Sequence, residues 1–213
     1  MHLGIRIFIK TSTTTSMKDF WNERFGQSTY VYGKAPNAFF AEQIGRLPKG
    51  KLLLPAEGEG RNAVYATLKG WKVTAFDQSE EGRRKAFNLA KDYDVEIDYQ
   101  LTNASDFQTD ESFDVVALIF AHFAGEQREL LFDKVEKSLV EGGYLIIEVF
   151  SKNQLTRESG GPKDLELLYS KGEIQSLFPN LEFMILEETK VELNEGPFHQ
   201  GEAAVIRAVA QKV

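Results

Sequence analysis

From Lys51 onward, short apolar bursts alternate with stretches whose apolar residues recur at helical spacing. The bursts at residues 52–54, 71–76, 97–101, 113–120 and 144–149 predict strands. Several are apolar at consecutive positions, the pattern of strands covered by helices on both faces and therefore of parallel pairing. Residues 62–69, 80–92 and 127–139 predict the intervening helices; in the last, Leu130, Leu131, Val135 and Leu139 repeat at helical spacing. This alternation implies an α/β, Rossmann-like, doubly wound and mostly parallel sheet.

The end of the chain departs from this rhythm. Residues 181–193 and 201–209 read as strands joined only by Asn194-Glu-Gly-Pro-Phe-His-Gln200, a connection so short that the pair must run antiparallel. Before Lys51, residues 37–47 predict a short amphipathic helix, preceded by the aromatic segment Tyr30-Val-Tyr-Gly-Lys-Ala-Pro36. A single domain is expected over residues 17–213. Residues 1–16, free of acids and rich in Thr and Ser, are expected to be an extension ahead of a start at Met17.

Composition narrows the classes. A chain of 213 residues suffices for one well-cored domain, and the absence of Cys removes disulfides, thiolate metal sites and Cys nucleophiles, in keeping with a cytoplasmic setting. A net charge of −7 argues against a nucleic-acid partner, whose usual footprint is a basic surface. No apolar run approaches the roughly 20 residues that span a bilayer, and no clustered ligand set predicts a metal.

Chemistry concentrates where the first strand ends. Gly58-Glu-Gly-Arg-Asn-Ala63 satisfies G-x-G-x-x-[GA], and Asp77 closes the next strand, where an acid accepts hydrogen bonds from ribose hydroxyls or, alternatively, caps a helix together with Ser79. Such turns normally hold phosphate. Here Glu57 and Glu59 flank the first glycine and would oppose a pyrophosphate. A ligand that joins adenosine to positive charge, as S-adenosylmethionine does, would suit them; the plainer reading is a solvated acidic turn.

With these residues in place, the sequence resembles the class I S-adenosylmethionine-dependent methyltransferases over residues 17–213. Residues 54–62 look like their glycine-rich first motif, Asp77 with Gln78 like the ribose-binding corner, and Thr102-Asn-Ala-Ser-Asp106 like the adenine-contacting segment. Ser112-Phe-Asp-Val-Val116 and Val140-Glu-Gly-Gly-Tyr-Leu-Ile-Ile-Glu148 match the entries to their fourth and fifth strands. More narrowly, Trp21-Asn-Glu-Arg-Phe25, Tyr30-Val-Tyr-Gly33, Gly160-Gly-Pro162 and His199-Gln-Gly201 resemble the small tellurite-resistance and thiol-methyltransferase-like group. Three positions depart from the pattern: Leu54 stands for the acid that usually opens the first motif, Ala56 for its first glycine, and Asn103 for the adenine-contacting Asp.

The resemblance implies a cofactor site built from Tyr30, Tyr32, Glu57, Gly58, Gly60, Asn62, Asp77, Gln78, Asn103, Ala104, Asp106 and Phe120, with Trp21 helping to form a lid. It also implies in-line methyl transfer to a small acceptor, a thiol or similar soft nucleophile. On the acceptor side His122, after the fourth strand, and His199, in the terminal connection, are the candidate bases, each with a purely structural alternative. Gly160-Gly-Pro162 predicts a rigid turn beside them. Two other functions suit the same loop: a nicotinamide-dependent oxidoreductase and a non-catalytic nucleoside-binding module.

Overall fold

The computed structural model describes residues 16–213. The expected extension lies, apart from Ser16, outside the described residues. Strands β1 (Lys51–Pro55), β2 (Lys72–Asp77), β3 (Asp98–Leu101), β4 (Phe113–Ile119), β5 (Leu139–Phe150), β6 (Leu181–Asn194) and β7 (Gln200–Lys212) form one sheet in the order β3-β2-β1-β4-β5-β7-β6. Pairing is parallel from β3 to β5 and antiparallel at β5–β7 and β7–β6. The expected doubly wound sheet with a reversed terminal pair is therefore what the chain forms.

Helices α1 (Met17–Phe25), α2 (Ala38–Arg46), α3 (Arg61–Leu68), α4 (Glu80–Asp92), α5 (Gly125–Ser138) and α6 (Lys171–Leu177) surround it. Successive strand residues point to opposite faces, so the leucines of β1 divide between two cores. Leu52 and Leu54 pack with Phe40 and Ile44 of α2 and Ala63 of α3, whereas Leu53 joins Phe132 and Val135 of α5 and Ile174 of α6. This two-sided burial is the reason the strand sequences are apolar without alternation.

Two helices escaped the periodicity. Helix α1 buries only Phe25 and is held from outside: Asn22 Oδ1 accepts from Ser79 Oγ at 2.7 Å, and Lys18 pairs with Glu80 at 2.9 Å. Helix α6 is too short for a period but carries a readable start, a capping box in which Ser170 and Glu173 satisfy each other's backbone N–H groups. The edge strand β6 bears Glu182, Glu187, Glu188, Lys190 and Glu192, charges that discourage pairing with another sheet.

The order reverses at β1, which has β2 on one side and β4 on the other. In open α/β sheets ligands bind in the crevice at such a switch point, outside the carboxyl ends of the strands. The glycine loop, Asp77 and Phe120 all lie at that end.

Candidate active site

Beyond Pro55 the chain takes left-handed backbone at Ala56, Gly58 and Gly60 before α3 begins. Gly60 is required twice over: its φ is 85°, and an added Cβ would lie 2.5 Å from Cβ of Ala86, so α3 and α4 approach through its missing side chain. Gly60 offers no side chain to cap α3. Glu57 does so instead, its Oε1 accepting from the N–H groups of Asn62 at 2.7 Å and Ala63 at 2.8 Å, while Oε2 accepts from Asn62 Nδ2 at 3.2 Å. A carboxylate is favoured at a helix N-terminus; burial nevertheless pushes the Glu57 carboxyl up to about 7.

The two glutamates thus differ from the acidic rim suggested by the sequence. Glu59 is buried against Lys85 at 2.7 Å and accepts from Val31 N–H at 2.8 Å and Tyr32 N–H at 3.4 Å, which ties residues 31–32 to the loop. Glu59 is thus ion-paired and Glu57 hydrogen-bonded within the protein. The Asn62 and Ala63 N–H groups, which a pyrophosphate would use, already serve Glu57.

Asp77 is buried at the end of β2, with Oδ2 accepting from Gly58 N–H at 3.1 Å and Oδ1 from Ser79 N–H at 2.8 Å. Ser79, not Asp77, caps α4, its Oγ accepting from Gly82 N–H. Burial pushes the Asp77 carboxyl up to about 6. Tyr99, which sequence reasoning missed, donates to Gly58 O at 2.7 Å, so this one residue is held through both its N–H and its C=O. Gln78 stands half-buried at the same corner.

Other expected contacts are reassigned by their hydrogen bonds. Asn62 donates to Glu57 and its Oδ1 accepts from Asn37 N–H at 2.9 Å, leaving it an internal strut. Asn103 turns inward on its own loop: Oδ1 accepts from Ser105 Oγ and Asp106 N–H, and Nδ2 donates to Asp106 at 2.6 Å, which consumes the carbonyl expected to meet adenine. Ala104 is buried in the core behind that turn, and Asp106 is exposed. Tyr30 packs by Val64 and Leu89 and donates to Lys85 O, facing α4 as packing and not as a lid. Trp21 stacks on Phe25, whose ring reaches the Gly58 backbone.

The two histidines separate cleanly. His122 Nδ1 lies 2.7 Å from Leu167 O and so carries the proton, while Nε2 accepts from Phe150 N–H at 3.5 Å. With burial pushing it down to about 4, His122 is a neutral strut between the β4 end and residue 167. Both of its ring nitrogens are thus engaged within the protein. His199 is buried, with ring centroids 4.4 Å from Tyr32, 4.5 Å from Phe120 and 5.3 Å from Phe150. Its Nδ1 is 3.2 Å from Glu195 Oε2. Phe120, at φ 51°, is a left-handed non-glycine residue at the end of the central strand, a conformation retained only where surroundings compel it. Here Phe120 N–H donates to Glu148 O at 2.7 Å.

Behind His199 runs a buried polar network. Arg61 donates to Glu195 at 2.9 Å and to Tyr32 O at 3.1 Å; Asn37 Nδ2 bridges Glu195 at 3.1 Å and Glu148 at 2.6 Å; Arg207 pairs with Glu148 at 2.6 Å. A cavity of about 310 Å³ adjoins it, lined in part by Tyr32, Asn37, Glu148, Glu195 and Arg207. Two signals for this network were present in the sequence: a Glu inside the apolar run of β5, and an Arg in the first turn of a helix, where a cation is disfavoured.

Residues 53–147 match the sequence family described as a methyltransferase domain. Those residues therefore carry a methyltransferase domain, set in a fold shared with S-adenosylmethionine-dependent methyltransferases. The chain is 24% identical, over 141 residues, to a probable S-adenosyl-L-methionine-dependent methyltransferase, TehB, of Haemophilus influenzae strain 10810; the match covers 65% of the chain and 48% of TehB. It thus spans about half the length of the curated relatives it matches. Among solved structures, TehB from Haemophilus influenzae aligns with a TM-score of 0.70 at 17% identity over 92% of this chain and 67% of that one. A protein solved in connection with conversion of a disulfide bond into a thioacetal group during echinomycin biosynthesis aligns at 0.76 and 15% identity over 92% of both chains. The N-methyltransferase NodS of Bradyrhizobium japonicum WM9, bound to S-adenosyl-L-homocysteine, aligns at 0.67 and 14% identity over 92% of this chain and 97% of NodS.

The residues at this sheet edge fit S-adenosylmethionine. Asp77 accepts two N–H groups and keeps further acceptor capacity for hydroxyls, and Glu57 occupies the Asn62 and Ala63 N–H groups that a phosphate would use. Among the described residues, no three or more of His, Asp and Glu are grouped to hold a metal ion, and no helix is long and apolar enough to cross a membrane.

Proposed function

We propose that this chain methylates a small soft nucleophile, a thiol or related chalcogen compound, in the aromatic corner around His199. The observation that carries the reading is a buried imidazole at the carboxyl end of β4, walled by Tyr32, Phe120 and Phe150 and tied through Glu195 to the first residue of α3. An apolar, aromatic wall suits a polarisable, weakly hydrated acceptor better than a charged one. The sulfur chemistry named for the echinomycin-pathway relative supports the same class.

When bound, the cofactor supplies an electrophilic methyl carbon on a sulfonium, and the pair of electrons from the broken bond stays with the cofactor sulfur. Asp77 and Gly58 would hold its ribose end, Gln78 and the turn at residues 102–106 would border its adenine, and Tyr32 and Phe120 would close the corner. His199 accepts the thiol proton, because the thiolate is the reactive form and a free thiol is mostly protonated near neutral pH. Alignment of the acceptor and exclusion of water supply the rest. The acceptor is a small molecule, with neither nucleic acid nor membrane involved, and the setting is cytoplasmic.

The test is methylation of a panel of small thiols by wild type, His199→Gln and His199→Ala, with S-adenosylhomocysteine affinity measured alongside. Loss of a general base lowers turnover about 10²–10⁴-fold with cofactor affinity nearly unchanged. Wild-type turnover in both variants returns His199 to a structural role. The rival oxidoreductase is disfavoured by the capped helix N-terminus, and a non-catalytic module would turn over no acceptor at all.

A further inference from the structure

We infer that Glu195 is the positioning residue that fixes the tautomer and orientation of His199, leaving Nε2 as the basic atom; the inference rests on the proposed role of His199. Glu195 and His199 face each other across the tip of the β6–β7 hairpin, which closes on itself: Glu195 N–H donates to His199 O at 2.9 Å, and His199 N–H to Gly196 O at 3.3 Å. The tip is pressed onto the segment it must not leave. Phe198 N–H donates to Val31 O at 3.2 Å, and a Cβ on Gly196 would strike the Gly33 backbone. On the other side the chain at Gly160, φ 124°, passes so close that a side chain there would lie 2.8 Å from His199 Cδ2.

The carboxylate is itself fixed. Oε2 receives Arg61 at 2.9 Å as well as the imidazole at 3.2 Å, and Oε1 receives Asn37 at 3.1 Å. Burial pushes Glu195 up, but His199 and Arg61 outweigh it and hold the carboxyl down at about 2. It is therefore an acceptor at every working pH, and an acceptor opposite Nδ1 demands the Nδ1–H tautomer. Burial lowers the pKa of His199 while Glu195 raises it; Arg61 and Arg24 oppose the cationic form, as His122 would if protonated, and Tyr32 covers the ring. Arg61 is also the first residue of α3. The base is in this way registered to the glycine loop that receives the cofactor.

The test uses the full chain with S-adenosylhomocysteine bound, in wild type, Glu195→Gln and Glu195→Asp, reading the His199 ring nitrogens by ¹⁵N NMR and the pH dependence of thiol methylation. Wild type is expected in the Nδ1–H tautomer. Glu195→Gln, nearly isosteric, should admit the Nε2–H tautomer, lower kcat about tenfold or more, and move the acid limb of the pH profile to lower pH, since the charge that raised the imidazole is gone. Glu195→Asp should retain the tautomer and recover part of the rate, and S-adenosylhomocysteine affinity should stay within about twofold. An Nε2–H tautomer in wild type, or an unchanged tautomer and rate in Glu195→Gln, overturns the inference. The base reading fails separately: His199→Gln at the wild-type rate removes His199 from catalysis, while the tautomer shift still decides what Glu195 does.

Discussion

Single residues around the glycine loop carry out tasks that their charges alone would not suggest. Glu57 illustrates the energetics. Its folded carboxyl stands at about 7 against an ordinary value of 4.5, so between those limits the folded state binds a proton that the unfolded state has lost. Stability contributed by that proton is present below pH 4.5 and lost as pH rises through 7, an upper limit of about 3 kcal/mol by linkage. Glu195, held at about 2, acts in the opposite sense, and its contribution is lost only as pH falls below 4.5 towards 2. Replacing Glu57 with Gln, which keeps an acceptor for the helix N–H groups, should therefore flatten the fall in melting temperature between pH 5 and pH 7 in the ligand-free protein. An unchanged slope in thermal melts would assign it to other groups. Asp77→Ala should weaken S-adenosylhomocysteine by about 10- to 150-fold, the equivalent of about 1.5–3 kcal/mol for a lost charged hydrogen bond. Calorimetry on folded protein reads this, and an unchanged dissociation constant would limit Asp77 to holding Gly58.

At the scale of elements, the loop and helices α3 and α4 behave as one unit because Gly60 lets the helices meet. Gly60→Ala must place a methyl group 2.5 Å from Ala86 while holding φ at 85°, so both sterics and backbone oppose it. A loss of about 1–4 kcal/mol is expected, with cofactor affinity falling together with stability. Denaturant unfolding measures the first, and a neutral result would mean that α3 shifts freely against α4. The elements also show where a sequence is readable. The apolar runs of β1, β2, β4 and β5 announce themselves because both faces are buried, and β6 and β7 because a seven-residue connection permits only an antiparallel return. Helix α1 gives no such signal, since its hold on α4 rests on Asn22 and Lys18, polar contacts that have no period.

For the whole molecule, the reversal of strand order at β1 gathers at one sheet edge residues from the loop, β2, β4 and the terminal hairpin. A ligand that bridges them selects the folded state, and at a hundred times its dissociation constant it adds about 2.7 kcal/mol of stability. S-adenosylmethionine and S-adenosylhomocysteine should accordingly raise the melting temperature by about 5–10 °C, using the usual conversion for a domain of this size. NAD and NADP should leave it unchanged, because Glu57 fills the place their pyrophosphate needs. Preferential stabilisation by NAD in a thermal shift assay would overturn the cofactor assignment.

The sequence by itself determined the doubly wound sheet, the reversed terminal pair, the glycine loop and Asp77. These follow from local periodicity and from spacing along one stretch of chain. It also singled out His122 and His199 together, but not the partners that distinguish them. That distinction was decided by tertiary structure alone. Whether an imidazole nitrogen meets a carboxylate or a peptide carbonyl depends on which segments the fold brings beside it: Leu167 and Phe150 for one histidine, Glu195 with Arg61 for the other. The same holds for Glu57 and Glu59, whose charges suggested a cationic ligand until folding supplied a helix end and Lys85 as internal partners. A side chain's identity fixes what it can donate or accept, whereas its partner is set by contacts between residues far apart in the chain.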